Sequence, residues 1–383
     1  MDSFIQTTPF FTADHRVVSG SIAQLVEREV EAEAADGERD PEQSLRDYVM
    51  LFAENDLLRY AVPTPGRPFD LRAFCLIREL LSYSSSLADL AFVMQGLGTY
   101  AISLAATEHV RDFWLARART GKAIAAFALT EPDAGSDVAG LKTSARKEDD
   151  TYVIDGRKRL ISNAGVADFY TVFARTGTRD DGRAEISAFI VSARMPGLTV
   201  TEKTEMIAPH PIGELEFKSC TIPAEDIIGN EGDGLRLSLQ TLDMFRASVG
   251  AAACGIARRA LDESLLHAKS REQFGKPLAE HQLIQAKLAD MATELDAARL
   301  MVYRAAYLKD TGAGSTREAS EAKLFATEVA GRIVDQAVQI YGGSGLVRGS
   351  VVERLYRDAR ALRIYEGTSE IQKLIIANQL LKE

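Results

Sequence analysis

The strongest constraint on this chain is a hydrophobic period that changes twice along its length. Residues 1 to about 120 carry apolar side chains at helical spacing: Ile22, Leu25, Val26 and Val30 make one stripe, and Leu45, Tyr48, Val49 and Phe52 another. From 123 to 229 short β-rich runs take over, at 151–154, 170–173, 186–191 and 215–217, separated by the turn pairs Asp155-Gly156, Asp181-Gly182 and Pro196-Gly197. No helix interrupts them, which favours an antiparallel sandwich or barrel over a parallel sheet. From Leu235 the helical period returns in runs over 235–270, 280–310, 316–340, 350–365 and 370–381, with Ser315-x-x-Glu318 reading as a capping box. Long helices with short joins imply an antiparallel bundle. The expected fold is mixed α and β: an N-terminal helical domain over 1–122, a central antiparallel β-domain over 123–230 and a C-terminal four-helix bundle over 231–383.

Composition removes several function classes. A net charge of -10 argues against a nucleic-acid partner or an anionic membrane surface held by bulk electrostatics. Cys75, Cys220 and Cys254 are scattered, so a disulfide framework and a CxxC site are both excluded, and a reduced cytoplasmic protein is the simplest expectation. The five histidines are equally dispersed, and no metal site is expected. The N-terminus has no basic stretch followed by an apolar run, as a signal peptide would. Residues 90–107 are uncharged, but Gln95, Gly96, Gly98, Thr99 and Ser103 make the run too polar for a membrane span; it reads as a helix buried in a soluble core. No G-x-G-x-x-G follows a strand, so a Rossmann-type site is unsupported.

One acidic residue stands out near the end of the chain. Glu366 lies in Ile364-Tyr365-Glu366-Gly367-Thr368-Ser369-Glu370, after a helix carrying Arg354, Arg357, Arg360 and Arg363. Gly367 reads as the helix stop and Ser369-Glu370-Ile371-Gln372 as a capping box for the next helix. Glu366 is then expected at a helix C-terminus, where the macrodipole disfavours a negative charge. Taken alone, it reads first as a solvated carboxylate. Gly342-Gly343-Ser344-Gly345, taken alone, is a loop between helices.

Together with Ala128-Leu129-Thr130-Glu131-Pro132-Asp133-Ala134-Gly135-Ser136-Asp137-Val138-Ala139-Gly140, the C-terminal segment resembles the two signature motifs of the acyl-CoA dehydrogenase family of flavoproteins. Gly349 is the one departure, standing where the family usually carries Asp, Glu or Asn. Arg271-Glu272-Gln273-Phe274-Gly275-Lys276 with His281-Gln282 is similar to the family's flavin-contacting segment. The resemblance runs from about 124 to 381 and is much weaker before that.

The resemblance implies FAD as cofactor and α,β-dehydrogenation of an acyl-CoA thioester to the trans-2-enoyl-CoA. Glu366 is implied as the base for the α-proton, its backbone N–H helping to bind the developing enolate oxygen, with hydride passing to flavin N5. Cofactor contacts are implied for Phe127, Leu129, Thr130, Gly135, Ser136, Ile161, Ser162, Arg271, Phe274, Gln282, Gln339, Gly342, Gly343, Thr368 and Glu370. Substrate contacts are implied for Ser136, Asp243, Arg246 and Gly367, and Met94, Gln95, Thr99 and Tyr100 are the expected pocket floor. Asp243 and Arg246 alone read equally as an ordinary i,i+3 ion pair. A homotetramer is implied, a dimer of dimers, in which Arg271 and Gly342-Gly343 reach the flavin of a neighbouring subunit, with an electron-transferring flavoprotein as electron acceptor. Leu160 replaces the family's usual Trp, and Ala208-Pro209-His210-Pro211-Ile212 replaces a G-x-R-x-S-x-T-like run. These departures leave room for an acyl-CoA oxidase, or a carrier-protein-linked dehydrogenase. A non-catalytic, DNA-protective member of the fold is a third reading, disfavoured by the acidic composition.

Overall fold

A computed structural model describes residues 2–31, 39–314 and 316–382. They gather into two compact units: Met1–Glu38, Asp70–Asp89 and Phe245–Glu383 form the first, and Arg39–Phe69 and Leu90–Met244 the second.

The N-terminal part is helical, with α1 (Ser3–Thr7), α2 (Ala13–Leu25), α3 (Pro41–Glu54), α4 (Leu71–Ser84), α5 (Ser86–Ala105) and α6 (Glu108–Arg119). Asp40 caps α3, with Pro41 at its first position, and the Asp70 side chain caps α4 by accepting from the Ala73 N–H at 3.0 Å. The uncharged run of the sequence is α5. It is long and apolar enough to cross a membrane, yet 78% of its apolar window is buried inside the protein.

The polar residues of α5 join it to the first strand, β1 (Ala125–Ala128). Gln95 donates to the carbonyls of Ala118 and Ala123 (3.2 and 3.0 Å) and accepts from the Ala125 N–H at 2.7 Å. A Cβ at Gly98 would stand 2.6 Å from the Ala125 Cβ, so only glycine permits this approach. Gln95, expected on the floor of an acyl pocket, is thus committed to this buried junction, while the buried Thr99 hydroxyl donates to the Gln95 carbonyl of its own helix at 2.5 Å.

The second unit contains the sheet. After β1 come β2 (Ser144–Glu148), β3 (Thr151–Ser162), β4 (Phe169–Thr178), β5 (Ala184–Ser192), β6 (Leu198–Lys203), β7 (Ile212–Pro223) and β8 (Ile227–Ile228). Their order is β6-β7-β3-β2-β4-β5-β8, with β1 also on β4. Most neighbours are antiparallel, as expected, but β1 and β2 both run parallel to β4. A hairpin cannot make a parallel pair, and both strands reach β4 through connections much longer than a turn. The sheet buries both faces. Phe169, Phe173, Ile186 and Ala188 pack with Ala101, Ile102 and Leu115 of α5 and α6; Tyr170, Val172, Phe189 and Val191 join Ile154, Leu215 and Phe217 in a second cluster.

The C-terminal helices are α7 (Gly234–Ser270), α8 (Gln282–Asp310), α9 (Thr316–Tyr341), α10 (Val351–Leu362) and α11 (Ser369–Leu380), with a small hairpin, β9 (Glu272–Gln273) and β10 (Lys276–Pro277), between α7 and α8. Helix α9 packs against α8, α10 and α11. Its buried face includes Ala319, Ser320, Ala322, Lys323, Ala326, Thr327, Ala330, Ile333 and Ala337, so one lysine sits among small, mostly apolar residues. The expected capping box at Ser315-x-x-Glu318 involves Ser315, which lies outside the described residues.

Two local expectations need correction. Helix α10 ends at Leu362 rather than 365, because the carbonyl of Ala361 takes the N–H groups of both Ile364 and Tyr365 (2.9 and 3.2 Å) and tightens the last turn. The cap of α11 is Thr368, whose hydroxyl accepts from the Ile371 N–H at 3.4 Å; the Ser369 hydroxyl donates to Glu328 at 2.6 Å.

Candidate active site

The turn between α10 and α11 is built around two consecutive left-handed residues, Glu366 at φ 53° and Gly367 at φ 90°. Gly367 adopts this conformation freely. Glu366 carries a Cβ, and a non-glycine residue here costs on the order of 1–3 kcal/mol unless its surroundings hold it. Lys323 on α9 donates from Nζ to the Gly367 carbonyl at 2.6 Å. Gln372 on α11 donates from Nε2 to the carbonyls of Gly367 and Glu366 (3.0 and 3.3 Å). The Ser369 N–H closes the turn on the Arg363 carbonyl at 3.1 Å. Lys323 and Gln372 are wholly buried.

The Glu366 side chain is the unusual feature. The residue as a whole is half-buried, but both carboxylate oxygens are enclosed and neither has a hydrogen-bond partner among the described residues. Burial pushes its pKa up to about 7, against the pull of Arg78, Lys323 and Arg246, while Asp89 acts with burial. The helix-end dipole inferred from sequence is not the main cause; desolvation is. Buried carboxylates are ordinarily hydrogen-bonded or neutralised. One left unpartnered with its pKa near neutrality suits proton transfer.

The other acidic candidates are structurally committed. Glu131 accepts from the Lys142 N–H, the Thr143 N–H and Lys158 Nζ (2.6, 3.0 and 2.7 Å). Glu263 is held by Arg259 at 2.9 Å and by the Tyr341 hydroxyl at 3.0 Å. Glu370 is exposed, and its own backbone N–H and the Thr368 hydroxyl hold its carboxylate below the usual range.

Sequence reasoning missed the charges surrounding Glu366. Arg78 on α4 is fully buried and grips Asp89 with two bonds of 2.8 and 2.7 Å, while its other nitrogen donates to the Ser248 hydroxyl at 2.9 Å. It also meets the Tyr365 hydroxyl. The available signal was an ionisable residue inside an apolar run, in Phe74-Cys75-Leu76-Ile77-Arg78 and again at Lys323 on α9. Arg246 on α7, assigned to substrate from the motif, is buried and contributes its charge to the same carboxylate.

In the sheet unit, the flavin-like segments lie side by side. Phe127 of β1 packs on Phe173, with centroids 5.0 Å apart. The Arg159 N–H donates to the Thr130 carbonyl at 2.9 Å, and Lys158 Nζ to the Leu129 carbonyl at 3.0 Å. Gly135 and Ser136 follow in an exposed or half-exposed loop, with nothing within 4 Å of where a Gly135 Cβ would stand. Ile161 buries its side chain in the second sheet cluster, leaving only its backbone for a ligand. The Ser162 hydroxyl pairs with His210 Nε2 at 2.8 Å. Burial pulls the His210 imidazole down to about 4, so it is neutral near pH 7. Nothing in the sequence signalled this pair. Leu160 takes φ 54° and is 46% exposed.

In the helical unit, Arg271 and Phe274 lie on the hairpin, Gln282 opens α8, and Gln339, Gly342 and Gly343 lie at and beyond the end of α9. All are exposed, and Phe274 is 95% exposed at φ 53°. Positions 342 and 343 have open space where a Cβ would stand. An exposed aromatic at a left-handed turn, followed by Gly275, adds little to stability and is well suited to contact with another molecule. Asp243 lies one turn before Arg246 on α7. Each unit by itself offers groups of the kind FAD needs: the open loop at Gly135 and Ser136 in the sheet unit, and the bare glycine backbone at 342 and 343 in the helical unit.

Comparison with known proteins agrees across the whole chain. The patterns of the acyl-CoA dehydrogenase N-terminal, middle and C-terminal domains match residues 12–122, 126–220 and 232–381. The chain is 38% identical to the 3-(aryl)acrylate reductase of Clostridium sporogenes over 97% of its own length and 100% of that protein's. It superposes on butyryl-CoA dehydrogenase from Megasphaera elsdenii with a TM-score of 0.89 and 34% identity, covering 97% and 99% of the two chains. A chain from the structure of the electron transferring flavoprotein of Acidaminococcus fermentans gives a TM-score of 0.90 at 32% identity, covering 97% and 99%. With all three of its parts matched in order, the chain belongs to the acyl-CoA dehydrogenase family of FAD-dependent oxidoreductases.

Proposed function

We propose that the protein oxidises an acyl-CoA thioester to its trans-2-enoyl-CoA, with Glu366 as the base. The observation that carries this reading is the Glu366 carboxylate, enclosed at a left-handed residue, without a hydrogen-bond partner among the described residues, and pushed up to about 7. An α-proton next to a thioester is weakly acidic. Its removal needs a carboxylate whose lone pairs are not already taken, and donors for the developing enolate oxygen. Glu366 supplies the first, and its backbone N–H is assigned to the second. Arg78, Lys323 and Arg246 keep an ionised fraction present near neutral pH. Bound FAD supplies the acceptor for the β-hydride. Phe127, Leu129, Thr130, Gly135, Ser136, Ile161 (through its backbone) and Ser162 are assigned to FAD in the sheet unit. Arg271, Phe274, Gln282, Gln339, Gly342, Gly343, Thr368 and Glu370 are assigned to it in the helical unit, and Ser136, Asp243, Arg246 and Gly367 to the acyl-CoA. We retain the three-part plan of 1–122, 123–230 and 231–383, a homotetramer, and a cytoplasmic location. The butyryl-CoA dehydrogenase likeness favours a short acyl chain, and the electron-transferring flavoprotein likeness favours that partner as acceptor.

The test is Glu366→Gln, followed by anaerobic flavin bleaching with a panel of CoA thioesters. FAD content and enoyl-CoA binding should persist while reduction slows by ~10²–10⁴-fold. Glu370→Gln should lose far less. Bleaching by Glu366→Gln near the wild-type rate would overturn the assignment. A second reading, an acyl-CoA oxidase or a carrier-protein-linked dehydrogenase, is favoured by exposed Leu160 in place of an indole. Rapid oxygen consumption during turnover would select the oxidase, and preference for a carrier-protein thioester over its CoA counterpart the other.

A further inference from the structure

We infer that Lys323, with Gln372 as its partner, is the positioning device of the Glu366 base: their buried side chains clamp the carbonyls of the left-handed turn and so hold the carboxylate where it can take a proton. This rests on Glu366 being the base.

Three observations converge on it. Lys323 lies on the buried face of α9 with Ala319, Ser320, Ala326 and Thr327, where an aliphatic residue would fill the space without burying a charge. Its ammonium has one hydrogen-bond acceptor among the described residues, the Gly367 carbonyl at 2.6 Å. Gln372, also wholly buried, reaches that same carbonyl and its neighbour. Two buried donors therefore converge on the pair of residues whose backbone is left-handed, and such a turn persists only where its surroundings over-determine it.

The arrangement also separates positioning from neutralisation. Lys323 acts on the carboxylate by charge alone, while its hydrogen bond goes to the carbonyl next door. The carboxylate feels a cation, yet both oxygens stay open to a substrate proton. The charges bearing most on Glu366 come from four helices: Arg78 from α4, Asp89 from α5, Arg246 from α7 and Lys323 from α9, while Gln372 from α11 is neutral. Glu328 and Glu370 act in turn on Lys323.

Lys323→Met and Gln372→Leu in the FAD-loaded protein test the inference. Each should slow flavin reduction by about 10–100-fold, the loss typical of a displaced catalytic group, with FAD content and enoyl-CoA affinity kept. Only Lys323→Met should also move the pH midpoint of the reduction rate, and upward, because removing a cation makes the carboxylate harder to ionise. Amide hydrogen exchange at residues 364–369 should quicken in both. If Lys323→Met does not retain FAD, Lys323→Gln, which keeps a donor and loses the charge, must show the same upward midpoint. A wild-type rate and midpoint in the Lys323 variant, with Glu366→Gln inactive, overturns this inference alone. A Glu366→Gln protein that still bleaches overturns the base assignment beneath it.

Discussion

Glu366→Gln should stabilise the protein relative to wild type as the pH rises, and by an amount the structure sets. The ordinary value for a glutamate is 4.5, and burial raises Glu366 in the folded protein to about 7. Below 4.5 both folded and unfolded forms carry the proton, and the stability linked to this group is fully present. Between 4.5 and about 7 the unfolded chain ionises while the folded one does not, so stability falls by about 1.4 kcal/mol per pH unit. Above about 7 the loss is complete. The interval is 7 − 4.5 = 2.5 units, or ~3 kcal/mol. Glutamine has no such titration, so the difference between variant and wild type isolates the group. Unfolding entropy of ~2 cal/mol/K per residue over a chain of 383 residues converts ~3 kcal/mol into a Tm difference of ~4 °C, if the chain melts as one unit. The assay is thermal melting of both proteins, FAD-loaded and substrate-free, across pH ~5 to ~8. The Glu366→Gln variant should gain on wild type steadily with pH. A difference that is flat with pH, or that shrinks as pH rises, would show that the carboxylate is not held above its ordinary value, and the electrostatic basis of the proposed mechanism would fail.

Two further predictions concern the scaffold. Arg78→Met removes the cation paired with buried Asp89 and should destabilise the protein by ~3–5 kcal/mol, measured by denaturant unfolding; a loss under about 1 kcal/mol would mean water reaches Asp89. Light scattering with in-line flavin absorbance should show one FAD per subunit in a homotetramer, or at least a dimer, with Arg271→Ala weakening FAD retention and assembly together; a flavin-loaded monomer would refute the shared-cofactor role of Arg271, Gly342 and Gly343.

Much of this protein was legible in the sequence, for identifiable reasons. The order of helical, β and helical segments follows from the spacing of apolar residues, a local property that survives without neighbours: α7, Gly234–Ser270, falls within a residue of its expected start. Glu366 and the Thr130 loop were legible because their residue types and spacing resemble a known pair of motifs. The parallel seating of β1 and β2 on β4 was not, since strand alternation fixes which face a side chain takes and says nothing of which strand lies alongside. Gln95 was expected on a pocket floor only by family resemblance; its three partners come from α6 and from the residues at and just before the start of β1, brought together by folding.

The character of the site belongs to the tertiary structure. The sequence determined that a glutamate would sit between two helices, next to a glycine. It did not determine that the glutamate would itself turn left-handed, or that its oxygens would be enclosed without a partner among the described residues. Nor did it place Lys323, Arg78 and Arg246, from three different helices, around it. Acidity and orientation depend on what surrounds a group in space, and those surroundings come from positions 78, 246, 323 and 372, which are adjacent only once α4, α7, α9 and α11 have packed.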